Sequence, residues 1–444
     1  MASIIQIDGG NPLIGTVKMS GAKNSALKLI AASMLSNEDV ILDNVPRIEN
    51  VESDLETIQA LGGKCEWIGK NKLLLNGSTI NSFEIPYDLG SKYRTSTLLA
   101  GPLVYRFGKA IIPKPGGCKI GPRPINRFAE TWKSFGMEIL EDETHYIIRG
   151  DNLKGANIHF NISSHTGTEN AIICAAFMPG ETTISNAAEE PEIDDVISFC
   201  NLLGADVKRS EQRTITVKGT NVFSGGNFSV QSDRNEAVTF ITGALVTNGN
   251  ITIKRVKREH LVSFTNVLTK MDAHYEFSDD ELRVWGDKNS IYAPVDVNTS
   301  PAPGFMTDWQ PLVTLLLTRS TGVSLVHDTV YTDRFGYTKE LNRMGAKITV
   351  HRPSELGIEA VISDDSYELA SKGEPYTVAK ITGPTTLRGT KIHVPDLRAG
   401  ATLSLAALAA EGKSDIEGFE NVERGYENFV DKLADLGADI EALS

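Results

Sequence analysis

A single cysteine on a glycine- and proline-rich stretch is the side chain of this 444-residue protein best suited to acid or covalent chemistry. Residues 115–124 read Pro-Gly-Gly-Cys-Lys-Ile-Gly-Pro-Arg-Pro, which predicts a loop, because this composition fits neither a helix nor a central strand. Cys118 lies there between Lys119 and Arg123, whose positive charges favour a thiolate over a thiol. The same composition is typical of an ordinary surface turn with an incidental cysteine, so the stretch alone leaves both interpretations open.

Charged and polar residues stand where strongly apolar helical segments begin. Segments such as 168–178 and 401–410 are apolar on every face, which predicts buried helices. An unpaired buried charge is costly, so we expect the charges at the helix starts to lie outside the core. Parallel helices would gather their N-termini at one end, where free N–H groups favour anions, and this predicts a cationic patch between two domains. The residues concerned are Lys23, Asn24, Arg94, Gly167, Thr168, Asp233, Arg234, Asp308, Asp396 and Arg398, with Arg123 and Arg424 nearby.

Such a mixture of charges suits a particular chemistry. Arginine and lysine side chains would hold a phosphate and a carboxylate, and an aspartate would be left to move a proton. Taken singly, each arginine is more ordinarily part of a surface ion pair. It is their number at corresponding positions that favours a site.

Bulk properties exclude several classes of protein. The chain is longer than one ordinary core, which predicts two or more domains, and its net charge of -13 argues against nucleic acid as the main partner. Cys65, Cys118, Cys174 and Cys200 lie far apart, which excludes the usual zinc patterns and makes a disulfide framework unexpected. The first residues lack the pattern of a secretion signal, and the apolar runs are far shorter than a membrane span. We therefore expect a cytoplasmic protein with no membrane insertion and no evident obligate protein partner.

A pattern of helix, strand, helix and strand recurs six times along the chain. Each copy closes on a sequence close to Leu-Gly-Ala, in which the glycine caps a helix and a strand follows. The copies are about 70 residues apart except for the last, and this regularity predicts two domains of three units each. We expect a linker at 223–231 and an outer helix at 421–436. The closing sequences are Leu61-Gly62-Gly63, Phe135-Gly136-Met137, Leu203-Gly204-Ala205, Met271-Asp272-Ala273, Met344-Gly345-Ala346 and Leu436-Gly437-Ala438.

Five short motifs occur in order along almost the whole chain. They are Ser20-Gly21-Ala22-Lys23-Asn24, Pro115-Gly116-Gly117-Cys118 with Arg123, Thr307-Asp308, Asp396-Leu397-Arg398 and Arg424-Gly425-Tyr426-Glu427. Together they resemble the UDP-N-acetylglucosamine enolpyruvyl transferase family. The resemblance implies an α/β fold of two inside-out α/β barrel domains, each of three repeated βαβαβ-type units. It also implies that the first strand belongs to the second domain, so that the domains are 22–231, with the Cys118 loop, and 1–21 with 232–444.

The resemblance implies a reaction as well as a fold. The enolpyruvyl group of phosphoenolpyruvate would move to the 3-hydroxyl of UDP-N-acetylglucosamine with release of phosphate, the first committed step of peptidoglycan synthesis. Cys118 would protonate carbon 3 of phosphoenolpyruvate and would be the thiol that fosfomycin alkylates. Asp308 would accept the proton of the sugar hydroxyl, with Asp396 as a second candidate. These two substrates would be the partners, and neither a metal nor another cofactor is required.

The family's site residues carry over to particular positions of this chain. Asn24 would orient the intermediate, while cationic side chains would neutralise the charge that shifts as it forms. The catalytic residues so implied are Cys118, Asp308, Lys23, Arg123, Arg398 and Asp396. The substrate-binding residues so implied are Lys23, Asn24, Arg94, Arg123, Pro124, Ile125, Asn126, Ser163, His165, Thr166, Gly167, Asp308, Val330, Arg398 and Arg424.

Three positions depart from the family's pattern, and all of them lie toward the nucleotide. Asn126 stands where an aspartate is usual, Leu98 where a tryptophan is common, and 163–167 reads Ser-Ser-His-Thr-Gly instead of Lys-x-Ser-Val-Gly. His165 is a candidate for the missing lysine's charge, although a lone histidine more often only forms hydrogen bonds. A different nucleotide acceptor and a non-catalytic sugar-nucleotide sensor therefore stay open. The shikimate 3-phosphate enzyme of the same fold is disfavoured, because it lacks the loop cysteine.

Overall fold

The structure is a computed structural model. It describes residues 4–114, 125–286, 291–363 and 367–443. The predicted residues Cys118, Arg123 and Pro124 lie outside the described residues. Short strands alternate with helices throughout, so the α/β class predicted from the sequence is confirmed.

The strands are short, and most alternate buried and half-buried or exposed residues, as expected where one face of a sheet covers a core. They are β1 (Ile4–Asp8), β2 (Ile14–Lys18), β3 (Val40–Asp43), β4 (Lys64–Gly69), β5 (Lys72–Asn76), β6 (Lys109–Pro113), β7 (Glu138–Glu141), β8 (His145–Arg149), β9 (Asn157–His159), β10 (Glu181–Ser185), β11 (Asp206–Glu211), β12 (Thr214–Lys218), β13 (Gly226–Ser229), β14 (Asn250–Lys254), β15 (His274–Ser278), β16 (Glu281–Trp285), β17 (Val297–Asn298), β18 (Gly322–His327), β19 (Ile348–His351), β20 (Val378–Gly383), β21 (Lys391–His393), β22 (Lys413–Glu417) and β23 (Asp439–Leu443).

The helices fall into apolar ones and amphipathic ones. The α-helices are α1 (Lys23–Ser33), α2 (Glu49–Ala60), α3 (Tyr87–Gly90), α4 (Ala100–Phe107), α5 (Asn126–Ser134), α6 (His165–Ala175), α7 (Pro191–Leu202), α8 (Arg234–Val246), α9 (Val262–Lys270), α10 (Gln310–Leu317), α11 (Thr338–Arg343), α12 (Leu369–Lys372), α13 (Leu397–Ala409), α14 (Glu420–Glu423) and α15 (Phe429–Asp435). The 3₁₀ helices are Arg94–Leu99, Arg258–His260, Thr307–Trp309 and Pro353–Leu356. Two of the 3₁₀ helices lead directly into α4 and α10.

The chain divides into two compact units. Gly21–Gln231 forms the first, called here the continuous unit, and Met1–Ser20 with Ser232–Ser444 forms the second, called the split unit. Each unit has its own hydrophobic core. No helix among the described residues is long and apolar enough to cross a membrane.

The sheets repeat one topology. In each four-stranded sheet a parallel pair is extended by antiparallel strands, and the described part of each unit contains three sheets. The sheet β6-β8-β7 has three strands, and Glu84 forms a parallel bridge to Ile111 at the place of the fourth. The sheets of the continuous unit are β13-β3-β5-β4, β11-β12-β10-β9 and β6-β8-β7, and those of the split unit are β21-β22-β1-β23, β15-β16-β14-β2 and β17-β18-β20-β19.

The apolar helices lie at the centre of the units. In the split unit α8, α10 and α13 contact one another, and nearly all their residues are buried. In the continuous unit α4 contacts α6, and α1 contacts the 3₁₀ helix Arg94–Leu99. The buried segment predicted at 168–178 is α6, which begins at His165 and ends at Ala175, and that predicted at 401–410 is α13. These helices are buried because they have no polar face to present to water.

The six closing sequences all end their helices in a left-handed residue, as the capping argument predicts. Five of these residues are glycines, for which a positive φ carries no steric penalty. In the fourth copy Asp272 takes the same conformation, with a φ of 60°. The glycines are Gly62, Gly136, Gly204, Gly345 and Gly437.

Two predicted segments are wrong. The linker expected at 223–231 contains β13, which pairs in parallel with β3, so most of the segment completes a sheet of the continuous unit. Only its end, Gln231, coincides with the division between the two units. The outer helix expected at 421–436 is interrupted: α14 ends at Glu423 and α15 begins at Phe429. Between them the buried Tyr426 turns inward, and Asn428 adopts a φ of 50°, which ends any continuous helix.

Candidate active site

Asp308 is the carboxylate around which the split unit arranges its charges. It lies in the 3₁₀ helix Thr307–Trp309, directly before the buried α10. Its Oδ1 accepts a hydrogen bond of 2.7 Å from Arg334 Nη2, and its Oδ2 lies 3.3 Å from Arg398 Nη2. The Asp308 side chain keeps 25% exposure, whereas those of Arg334 and Arg398 keep 4% and 6%. Two buried guanidinium groups thus stabilise the ionised form of a carboxylate that solvent can reach, and that is the form that accepts a proton.

Arg398 is held in place by the start of its own helix. Asp396 is the N-cap of α13, and its Oδ1 accepts the N–H of Arg398 at 3.0 Å and that of Ala399 at 3.1 Å. At the other end of the side chain, Arg398 Nη1 donates to the hydroxyl of Tyr426 at 3.0 Å. Burial disfavours the guanidinium charge, but Tyr426 and Asp308 outweigh burial and raise the pKa of Arg398. Asp396, the second candidate for proton transfer, therefore already has a positioning task.

Arg334 was not predicted, although its Nη2 lies 2.7 Å from Asp308 Oδ1. Its Nη1 donates to Thr307 Oγ1 at 2.7 Å, and that hydroxyl donates in turn to Asp328 Oδ2 at 2.7 Å. Burial disfavours its charge, but Asp308 and Asp328 outweigh burial and raise the pKa of Arg334. Arg334 stands in no motif and before no apolar helix, so no sequence signal identified it.

Val330 and Arg424 are connected to Asp308 and Arg398 through bonds made by neighbouring residues. The N–H of Val330 donates to Asp328 Oδ1 at 2.9 Å, and Asp328 accepts Thr307 with its other oxygen. Arg424 is half-buried at the end of α14, two residues before Tyr426. The split unit thus gathers Asp308 and Arg398 directly and places Val330 and Arg424 on segments bonded to them.

In the continuous unit, Lys23 and Asn24 begin α1 and are half-buried. The turn before them is fixed, because the N–H of Ala22 donates to the carbonyl of Gln231 at 2.7 Å. A Cβ on Gly21 would lie 1.7 Å from the carbonyl oxygen of Asn44. Glycine is therefore required where this motif meets the neighbouring chain.

His165 begins α6 above a buried cluster of charges. Its Nε2 lies 3.1 Å from Glu169 Oε1, and Lys28 Nζ lies 3.0 Å from the other oxygen of Glu169. Glu169 is fully buried, and the His165 side chain keeps 19% exposure. Burial disfavours the imidazolium, but Glu169 and Glu190 outweigh burial and raise the pKa of His165 to about 9. His165 is therefore a cation at neutral pH, which the sequence alone left undecided.

The other predicted nucleotide-side residues lie at helix starts of the same unit. Ser164 is the N-cap of α6, and its hydroxyl accepts the N–H of Gly167 at 3.2 Å. The neighbouring Ser163 and Thr166 are half-buried. Asn126 is the exposed first residue of α5.

Arg94 and α5 meet through an aromatic ring. The guanidinium carbon of Arg94 lies 5.3 Å from the ring centre of Phe128, which α5 carries one turn after the buried Ile125. Such a contact favours a cation over an aromatic face. The continuous unit thereby links the helix starts of Arg94 and Asn126.

One expectation about the helix starts is wrong. Asp233, Arg234 and Arg398 are buried, although we expected charges at these positions to lie outside the core. Asp233 caps α8 by accepting the N–H of Asn235 at 2.7 Å, and Arg398 is paired as described. The argument from the cost of an unpaired charge fails here because these charges have partners.

The cysteines among the described residues are free thiols, but they lack the reactivity predicted for Cys118 on the loop. Burial raises the pKa of Cys65, Cys174 and Cys200 to about 12, so these thiols stay protonated. They are structural residues.

Comparisons with known proteins define the class. The family model for EPSP synthase (3-phosphoshikimate 1-carboxyvinyltransferase) matches residues 7–433, and the chain belongs to this family. The enolpyruvyl transferase NikO from Streptomyces tendae superposes with a TM-score of 0.86 at 23% identity, covering 100% of this chain and 99% of that one. EPSP synthase from Acinetobacter baumannii superposes with a TM-score of 0.73 at 17% identity, covering 100% of both chains. The predicted enolpyruvyl transferase fold is confirmed.

Curated relatives within the family bear a more specific name than the family model does. The chain is 39% identical to UDP-N-acetylglucosamine 1-carboxyvinyltransferase 1 of Caldanaerobacter subterraneus over 98% of each chain. It is 39% identical to the protein of that name from Carboxydothermus hydrogenoformans, over 99% of this chain and 98% of that one. It is 36% identical to UDP-N-acetylglucosamine 1-carboxyvinyltransferase 2 of Bacillus subtilis, over 98% of this chain and 96% of that one.

Proposed function

We propose that the chain transfers the enolpyruvyl group of phosphoenolpyruvate to the 3-hydroxyl of UDP-N-acetylglucosamine and releases phosphate. The observation that carries the proposal is the partly exposed Asp308 carboxylate between the buried guanidinium groups of Arg334 and Arg398. The curated relatives support the choice of substrates, because they bear this activity in their names over nearly the whole chain.

The reaction requires an acid and a base. The sugar oxygen attacks carbon 2 of phosphoenolpyruvate while carbon 3 gains a proton, and a tetrahedral ketal forms. Asp308 takes the proton of the sugar hydroxyl, and the thiol of Cys118 supplies the proton to carbon 3. Loss of a proton from carbon 3 then restores the double bond as phosphate leaves carbon 2.

The cations stabilise the charge that moves during these steps. Lys23, Arg123 and Arg424 hold the phosphate and the carboxylate of phosphoenolpyruvate, and Arg94 and Arg398 support them. Asn24 orients the ketal. The imidazolium of His165 supplies a positive charge for the diphosphate of the nucleotide, in place of the lysine usual in the family. This role is supported by the ion pair that keeps His165 protonated.

The acceptor decides between this proposal and its alternative. Purified protein mixed with phosphoenolpyruvate should release inorganic phosphate when UDP-N-acetylglucosamine is added, and not without it. Release with another sugar nucleotide and none with this one would identify a different acceptor, in keeping with Asn126 and His165. No release of phosphate with any acceptor would favour the non-catalytic sugar-nucleotide sensor.

A second experiment concerns the loop cysteine. Cys118→Ser should reduce phosphate release strongly and leave the dissociation constant of UDP-N-acetylglucosamine unchanged, because the thiol acts on phosphoenolpyruvate. Fosfomycin should inactivate the parent protein by alkylating this thiol. Under the proposal, the reaction is the first committed step of peptidoglycan synthesis and takes place in the cytoplasm.

A further inference from the structure

Asp54 is a buried acid that none of the roles above uses. It lies on α2, keeps 7% exposure, and its Oδ1 accepts a hydrogen bond of 2.7 Å from Thr95 Oγ1. Burial raises the pKa of Asp54 to about 7, although the hydrogen bond from Thr95 and the positive charges of Lys23 and Lys28 lower it. The carboxyl group is therefore divided between its protonated and ionised forms near neutral pH.

The elements packed against α2 place this carboxyl group beside the predicted phosphate-holding residues. Both α1 and the 3₁₀ helix Arg94–Leu99 contact α2 and each other. Lys23 begins α1, and Thr95 follows Arg94 directly. Asp54 thus faces the lysines of α1 on one side and the segment that carries Arg94 on the other.

The remaining charged groups near α2 point to solvent or to other partners. Asp88 on α3 is exposed, as are Lys64 and Glu66 on β4. On α2 itself, Glu49 accepts the hydroxyl of Tyr93 at 2.6 Å, and Glu52 lies 3.4 Å from the indole nitrogen of Trp67. Among the residues that the structure describes, Lys23 and Lys28 are the positive charges that lower the pKa of Asp54.

We propose that Asp54 is a positioning residue for Lys23, and that it takes up a proton when a phosphate-like anion binds at Lys23. An ionised Asp54 competes with such an anion for the field of the lysine, and a second negative charge nearby favours protonation of the carboxylate. Because linkage is reciprocal, protonated Asp54 strengthens anion binding by the same factor by which the anion favours its protonation. The inference rests on the proposed function, which assigns Lys23 to the phosphate.

Sulfate is the suitable probe, because it has the shape and charge of a phosphate dianion, has no proton to exchange near neutral pH and cannot react. Titration calorimetry at pH 7.5 in two buffers of different ionisation enthalpy measures the protons taken up as sulfate binds. If sulfate raises the pKa by about one unit, the parent protein should take up about half a proton per sulfate. Asp54→Asn should bind sulfate with almost no uptake, and its affinity should vary little between pH 6 and pH 8.5.

Three further variants make the test specific. Asp195→Asn removes another acid, which is half-buried and whose pKa burial raises to about 6, but which bonds to Gln231 and Ser25, so uptake should stay at the parent value. Thr95→Val removes the donor that favours the ionised form and should move the pH of greatest uptake upward, whereas Thr95→Ser should leave it in place. Lys23→Met should weaken sulfate binding at least tenfold.

The inference fails if Asp54→Asn takes up as many protons as the parent. It also fails if sulfate does not bind, or if Lys23→Met leaves its binding unchanged. These outcomes are separate from the fate of the proposed function, which depends on phosphate release with UDP-N-acetylglucosamine. Absence of that release together with uptake that depends on Asp54 would remove the function and leave the linked anion site.

Discussion

Replacing Glu169 by glutamine should destabilise the continuous unit more than the removal of an exposed charge does. The carboxylate lies 3.0 Å from Lys28 Nζ and 3.1 Å from His165 Nε2. At an effective dielectric constant of about 20 each contact amounts to about 5 kcal/mol of Coulomb energy, most of which offsets the desolvation of three charges. Removing the shared anion leaves two cations, and loss of one partner from a buried pair costs about 3–5 kcal/mol. We expect that range for Glu169→Gln.

Lys28→Met should cost less, about 1–3 kcal/mol, because His165 still neutralises the carboxylate. Glu181→Gln is the matched control, since Glu181 pairs with Lys218 at 3.6 Å with more than half of both side chains exposed, and it should change stability by less than about 1 kcal/mol. Urea unfolding followed by pulsed hydrogen exchange and mass spectrometry of peptides from α1 and α6 reports on the continuous unit alone. A cost below about 1 kcal/mol for Glu169→Gln would refute the argument, because an unpaired buried charge has to cost more.

The pH dependence of the same variant gives a second check. Glu169 and Glu190 raise the pKa of His165 from 6.5 to about 9 in the folded protein. A raised pKa of a base contributes stability that is fully present below pH 6.5 and is lost as the pH rises through 9. The stability difference between the parent and Glu169→Gln should therefore shrink between these pH values. A constant difference would mean that His165 is neutral in the folded protein.

Further predictions concern the reacting groups. Asp308→Asn should lower kcat about 10²–10⁴-fold, and its unfolding midpoint should fall as well, because the change removes the anion shared by two buried guanidinium groups. Unchanged turnover would exclude Asp308 as the base. Asp396→Asn keeps an oxygen that caps α13, so its unfolding midpoint should equal that of the parent, whereas Asp396→Ala should lose about 1 kcal/mol of unfolding free energy. A fall in turnover in both variants would assign Asp396 to proton transfer as well. His165→Gln should weaken UDP-N-acetylglucosamine binding about tenfold at pH 7 and leave the KM for phosphoenolpyruvate unchanged, since one charge contact to the diphosphate is lost; equal effects on both substrates would contradict its assignment to the nucleotide.

The parts of the fold that the sequence predicts are those that local chemistry determines. A glycine after an apolar helix indicates a left-handed cap wherever it occurs, and even Asp272 follows the rule in the copy that lacks glycine. A segment as rich in alanine and leucine as α13 after Arg398 predicts a buried helix. The predicted linker at 223–231 was wrong because its pairing with β3 depends on residues nearly 190 positions away.

The missing parts of the candidate site depend on contacts between distant segments. Arg334 reaches Asp308 from a loop without any motif, and Lys28 reaches Glu169 from another helix. Neither partner carries a local signal of its pairing. The break at Gly425 was missed for a similar reason, since the inward turn of Tyr426 is stabilised by Arg398 and Thr239. The sequence indicated which residues are charged and left open which of them are paired.

The place of β1 has a consequence for how the chain is assembled. Its first paired residue, Ile4, lies opposite Leu443 of β23, and β22 flanks it on the other side, so the earliest strand fills the third position of the sixth repeat. During synthesis, Gly21–Gln231 can fold as soon as it emerges, while the leading strand waits until the last two have been made. A circular permutant can join the two ends by a short linker and open the chain at Gly357, a turn residue in the αL conformation outside the strands. In this permutant the long-range pairing of β1 with β23 becomes a hairpin. Its split unit should therefore fold faster than that of the natural order.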